Sequence, residues 1–150
     1  MNSKLPPIGL YHPINKEKYL GDHTPNFRSS WERRVMWFLD NNDNIVKWGS
    51  ELVTVPYMSP LDGKIHRYFV DFYVEIAGQN GERKRILIEV KPKKQLNPPK
   101  TEHRSKKTVM TETKQYVVNN AKFKAANAYA TANGMLFYVF TEDDIQMHCN

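Results

Sequence analysis

At 150 residues the chain is long enough for one domain with a real core. Its 22 lysines and arginines against 16 acids leave a net charge of +6, which favours a polyanionic partner. One cysteine, Cys149, excludes a disulfide framework and a cysteine metal cluster and fits a reducing cytoplasm; no apolar run is long enough to cross a membrane, and the N-terminal MNSKLPPIGLYHP has no signal-peptide core.

Residues 1–25 are rich in proline and glycine and predict an irregular arm, packed in part through Leu10, Tyr11, Tyr19 and Leu20. His12 and His23 lie there, far in sequence from any acidic cluster, and read as surface or packing histidines. The remainder, 26–150, reads as one domain. From Ser30 to Asp40, Trp31, Val35, Phe38 and Leu39 recur at helical spacing, and Ser29-x-x-Glu32 fits a capping box. Ile45–Trp48 and Glu51–Tyr57 read as short strands or one strand bent at Gly49, followed by the turn Leu61-Asp62-Gly63-Lys64. Ile65–Ile76 and Arg85–Lys91 read as two strands of a hairpin around Gly78-Gln79-Asn80-Gly81. Residues 92–110 are basic, proline-containing and poor in apolar groups, and predict a mobile loop. Thr113–Asn133 is the longest helical pattern, with Tyr116, Val117, Ala121, Ala125, Ala128, Tyr129 and Ala132 on one side and Gly134 as its stop signal. Met135–Phe140 predicts a buried strand parallel to a neighbour, reached by a helical crossover, and Thr141 opens a last helical turn. The fold class expected is α/β: a central mixed sheet with one long helix on each side.

The chemistry gathers on the hairpin. Asp71 is separated by seventeen residues from Glu89-Val90-Lys91. Side chains alternate along a strand, so Leu87, Glu89 and Lys91 share one face, and one register brings Asp71 onto it. Burying lone charges is unfavourable, so such a set is paired, metal-bound or at a cleft. Two carboxylates side by side suit a hard cation such as Mg²⁺, and a neighbouring lysine orients a water. The plain alternative is a cross-strand ion pair. No glycine-rich phosphate loop, zinc-ligand spacing or G-x-S-x-G elbow occurs.

Asp71…Glu89-Val90-Lys91 resembles the D…E-x-K core of the PD-(D/E)XK nuclease superfamily, with Val70 where the name has proline. Phe27-Arg28-Ser29-Ser30-Trp31-Glu32 is similar to the R-S-x-x-E helix start of one branch. That branch includes endonuclease subunits of cut-and-paste transposons and head-completion nucleases of T-even-like tailed phages; as one short domain, the chain looks most like the phage members. The resemblance implies a restriction-endonuclease-like α/β sandwich and a Mg²⁺-dependent DNA endonuclease, with Mn²⁺ as substitute, leaving 5′-phosphate and 3′-hydroxyl ends. It implies Asp71 and Glu89 as metal ligands with the Val90 carbonyl, and Lys91 holding the attacking water. Glu32 would bind a second metal or orient the water, unless it only completes the capping box. A polar or basic residue of the long helix would assist, Lys122 or Gln115. Lys93, Lys94, Lys100, Arg104, Lys106 and Lys107 follow the motif directly and are expected on DNA phosphates, unless they form a solvated loop. Action on packaged or terminal DNA in the host cytoplasm, beside head or portal proteins, would follow. A non-catalytic DNA-binding or structural head protein competes with this reading, but a decayed site usually loses its lysine or an acid first. A transposase-type subunit would need a second domain.

Overall fold

The computed structural model describes residues 8–149; residues 1–7 of the expected arm, and Asn150, lie outside these. Strands β1 (Gly9–Leu10) and β2 (Asn26–Phe27) pair antiparallel and stitch the arm to the entrance of helix α1 (Ser30–Asn41). Helix α1 begins where the sequence places it, because Ser29 is extended and its Oγ accepts the Glu32 N–H at 3.1 Å. Four strands form the central sheet: β3 (Ile45–Ser50), β6 (Phe72–Ala77), β7 (Arg83–Val90) and β8 (Leu136–Phe140), side by side in that order. The first three pair antiparallel; β8 lies parallel to β7, so the sheet is mixed.

The β6–β7 register sets Phe72 opposite Ile88 and Tyr73 opposite Leu87. A slip by one residue would turn every side chain to the wrong face. In this register Phe72, Val74, Ile86 and Ile88 pack with Trp48, Val35, Met36 and Leu39 beneath α1, joined by Ile145 of the short helix α3 (Glu142–His148). Leu87 and Tyr73 point the other way, toward Ala126 and Ala130 of helix α2 (Lys106–Ala132). The helices thus cover opposite faces, as the α/β reading requires.

Several expectations need correction. Ile65–Ile76 is two strands: β5 (Ile65–Phe69) pairs with β4 (Thr54–Met58) in a separate hairpin, and the chain crosses into the central sheet at Val70-Asp71. Continuous β-propensity hides such a break, because which strands pair is a tertiary matter. Helix α2 starts at Lys106, since Ser105 accepts the Thr108 N–H at 3.1 Å, so the loop expected through residue 110 ends before it. Its buried groups are Asn119, Ala126 and Ala130, whereas Val117, Ala128 and Ala132 are exposed. Strand β8 is a sheet edge and is not fully buried: Leu136 and Tyr138 are exposed, while Phe137 and Phe140 are partly buried against the two cores. Leu10 and Leu20 of the arm are also exposed, while Tyr11 is buried and Tyr19 lies against Trp48.

The arm is fastened by Asp40, which is fully buried. Its carboxylate accepts the Tyr11 hydroxyl at 2.6 Å, the Ile14 N–H at 2.7 Å and the Asn15 N–H at 2.9 Å. Burial raises its pKa, but these donors outweigh that and hold it below the usual range. The stabilisation is therefore present above the unfolded value near 3.8 and fades as pH falls below it. Asp40→Ala leaves the buried Tyr11 hydroxyl and two part-buried N–H groups without their acceptor, and a buried donor left so costs roughly 1–3 kcal/mol, so urea unfolding should show a loss of about 2 kcal/mol or more. A loss below about 1 kcal/mol, typical of a surface change, would contradict this account.

Candidate active site

The crossing at Val70-Asp71 puts Asp71 at the first position before β6, opposite Glu89 near the end of β7. Both side chains are buried, 7% and 3% exposed. They are held by backbone donors: Val90 N–H gives to Asp71 Oδ2 at 2.8 Å, and Asp71 N–H gives to Glu89 Oε1 at 3.2 Å. Burial, then the charge of Glu89, raises the Asp71 pKa well above the usual carboxylate range, against the pull of Val90 N–H and Lys91. Lys91, on the same face as Glu89, brings its Nζ to 3.8 Å from Glu89 Oε2. The ion pair and the site are thus the same contact.

Glu32 joins them from α1. Its backbone N–H is capped by Ser29, while its carboxylate lines the cleft over Asp71 and Glu89. The cap reaches the side chain as well, since the Ser29 hydroxyl donates to Glu32 Oε2 at 3.4 Å, yet the same carboxylate lines the cleft, so capping and facing the site do not exclude each other. Burial and the charge of Asp71 raise its pKa; Arg28, at 3.8 Å, lowers it. Arg28 is the residue that sequence reasoning missed, although it is the arginine of the R-S-x-x-E pattern. Its guanidinium reaches Asp71 Oδ1 at 3.2 Å and Glu51 Oε1 at 2.9 Å. Glu51 has a φ of +51°, strained for a residue with a Cβ, and its N–H binds the Asp71 carbonyl at 3.0 Å.

From the opposite side α2 contributes Lys122, as expected, half-buried over the rings of Tyr57 and Tyr68. Burial and the nearby Lys91 lower its pKa. Gln115, the other candidate, lies away from the cleft and bonds to Gln95. Tyr68 is buried at the cleft wall, and burial and the charges of Glu89 and Asp71 push its hydroxyl pKa far up. The cleft measures about 280 Å³. A larger cavity of about 630 Å³ lies beside it, between residues 93–104 and α2, but contains none of these carboxylates. Among the described residues, no three histidine, cysteine or acidic side chains come close enough to share one ion. Asp71 and Glu89 form the oxygen pair that suits a divalent cation; Glu32 stands next to that pair.

The family model described as "TnsA-like endonuclease N terminal" matches residues 42–142, from before β3 into α3. The chain belongs to that family. A head completion nuclease of Enterobacteria phage T4 is 38% identical over 144 residues, covering 92% of this chain and 93% of the relative. In the endonuclease Asp71, Glu89 and Lys91 lie within the matched span, and Arg28 and Glu32 lie before it. No helix among the described residues is long and apolar enough to cross a membrane.

The basic run of the endonuclease is divided. Lys93 pairs with Asp143 at 3.0 Å, and Arg104 makes a bidentate pair with Glu112 at 2.6 and 2.7 Å. Lys94, Lys100, Lys106 and Lys107 are exposed, with no ion pair among the described residues.

The raised Asp71 pKa has a consequence for stability. Without a divalent cation the folded chain holds a proton that the unfolded chain releases, so stability falls as pH rises above about 3.8. Asp71→Asn is neutral at every pH and can still accept from Val90 N–H. In EDTA its melting temperature should exceed that of the wild type by a few degrees near neutral pH, and the gap should close as pH is lowered toward 3.8. A variant that melts lower than the wild type at neutral pH would mean that the carboxylate stabilises the cation-free fold.

Proposed function

We propose that the endonuclease cuts DNA with the help of a divalent cation, Mg²⁺ or Mn²⁺, during completion of a phage head, acting on packaged or terminal DNA beside head or portal proteins in the host cytoplasm. The observation that carries the reading is Asp71 and Glu89 side by side, with Lys91 at 3.8 Å from Glu89, at the floor of one cleft. The fit to a cation rests on the buried carboxylate pair, whose mutual repulsion favours added positive charge. Asp71, Glu89 and the Val90 carbonyl would hold it, where a divalent ion polarises a phosphoryl oxygen and offsets the charge that builds up there.

The chain's own groups do the rest. Lys91 holds the attacking water by its ammonium and aligns it with the phosphorus. Glu32, its pKa raised by burial, orients that water or takes its proton. Lys122, on the opposite wall, binds a non-bridging phosphate oxygen, and Arg28 keeps Asp71 in place. Lys94, Lys100, Lys106 and Lys107 bind flanking phosphates, joined by Lys93 and Arg104 at the edge of their ion pairs.

Plasmid nicking tests the site. Lys91→Ala and Glu32→Gln should each lower cutting by at least about a hundredfold, the usual contribution of one positioned acid–base group. Glu32→Gln should melt within about a degree of wild type, because the Ser29 cap uses the backbone N–H. Millimolar Mn²⁺ should raise the wild-type melting temperature, as any ligand of the folded state does, and Asp71→Asn should remove that gain. Normal nicking by Lys91→Ala would refute the mechanism. The flanking contacts are read from salt dependence: Lys94, Lys100 and Lys107 together replaced by glutamine should flatten the log–log slope of duplex binding by about 2 to 3 units. An unchanged slope would move the DNA-binding face elsewhere.

A further inference from the structure

The larger cavity asks for a ligand of its own. It opens where the chain leaves the site: Lys93 is two residues beyond Lys91, so its wall begins within roughly 7 Å of the Lys91 backbone. At about 630 Å³ it has the size of a small-molecule pocket. Its mouth carries Lys94 and Lys100, and its walls are Pro98, Pro99 and the ring of Tyr116. Asn119 lines it as well, 3% exposed; its amide Nδ2 has no hydrogen-bond partner and lies beneath the cavity surface. Glu112 is the one acid in the lining, and Arg104 neutralises it with two hydrogen bonds.

Lysines that only touch duplex phosphates need no cavity beneath them. This one combines three things: cations in the lining, a flat ring with proline walls, and just beneath the surface a buried amide whose unanswered donor costs about 1–3 kcal/mol and which a small side-chain turn would bring to the cavity. A nucleobase offers a flat face and acceptors on its edge. Inside a duplex both are taken by stacking and pairing, so only an unpaired or extruded base can enter. Resting on the nuclease reading above, we propose that this cavity receives one unpaired base of the strand being cut, one or two nucleotides from the scissile phosphate, stacked on Tyr116 with its edge toward Asn119. The enzyme then favours DNA that has single-stranded character beside the cut.

The test uses the full chain with Lys91→Ala, so that DNA is bound and not cut. Three hairpin-closed duplexes are compared at one salt concentration: a fully paired end, an end with a short single-stranded tail, and the same tail with abasic sites. Stacking of one base is worth about 1–3 kcal/mol, so the tailed duplex should bind roughly tenfold or more tighter than the abasic one. Tyr116→Ala should remove the difference, and Tyr116→Phe, which keeps a ring, should preserve it. Equal affinity for the tailed and abasic duplexes would show that the groove binds phosphates only and would overturn the proposal. So would a preference that survives Tyr116→Ala. Cutting of the tailed duplex by the wild-type chain with Mg²⁺ or Mn²⁺ is measured in parallel; its absence would instead overturn the nuclease reading.

Discussion

Two buried carboxyl groups at the ends of neighbouring strands cannot both be charged without pushing each other apart, and the fold around them has to hold them together. At Asp71 the hold is in the backbone. Its carbonyl is taken by Glu51 N–H, its N–H by Glu89, and its carboxylate by Val90 N–H; one residue earlier, Val70 N–H is taken by Val53. The chain switches from one sheet to the other at this point, and these hydrogen bonds fix the crossing beside the site. On one face Trp48, Phe72 and Ile88 are packed under α1, and on the other Leu87 and Val70 are packed with α2. The apolar layers supply the stability that the acids remove, which is why the site can be both strained and rigid.

The short segment Arg28-Ser29-Ser30-Trp31-Glu32 shows how closely local structure and chemistry are joined. Ser29 starts the helix. Arg28 and Glu32, four residues apart, are thereby turned to one side, where Arg28 also reaches Glu51 and Asp71. A different cap geometry would redirect both side chains. The cap matters too: Ser29 accepts the Glu32 N–H at 3.1 Å and its hydroxyl donates to the Glu32 carboxylate at 3.4 Å, so the helix start itself holds that carboxylate at the cleft.

The hairpin of β6 and β7 was legible because alternation along a strand and the Gly-Gln-Asn-Gly turn together fix which residues face each other. Asp71, Glu89 and Lys91 follow from that register alone. Arg28 and Glu51 were not legible as site residues, because nothing in a linear pattern says that the residue before a helix cap lies over a strand forty positions later. The same holds for Asp40: an aspartate near a helix end reads as solvated, and only the returning arm makes it a buried anchor. Helix α2 was misjudged at its start because Lys106, Lys107 and Thr108 look like loop composition, and the structure shows Ser105 capping it. Its buried stripe was misplaced because so many alanines give several nearly equal helical faces, and the sheet selects one of them.

A net charge of +6 overstates what a nucleic acid meets, since several of the cations are committed inside the protein. Arg28 faces acids of the cleft, Arg83 pairs with Glu75, Lys93 with Asp143 and Arg104 with Glu112. Exposed pairs of this kind are individually weak, about 0–1 kcal/mol, so their value here is positional. The segment after Lys91 is tied near its beginning to α3, through Lys93 N–H and Glu142 at 2.9 Å as well as the ion pair, and near its end to α2 through Arg104. Gln115 and Gln95 add a further tie, at 3.4 Å, between them. Lys94 and Lys100 therefore project from a strap held at both ends, which lowers the ordering entropy to be lost when a polyanion binds. Some of the basic residues hold the surface in shape so that the others can use it.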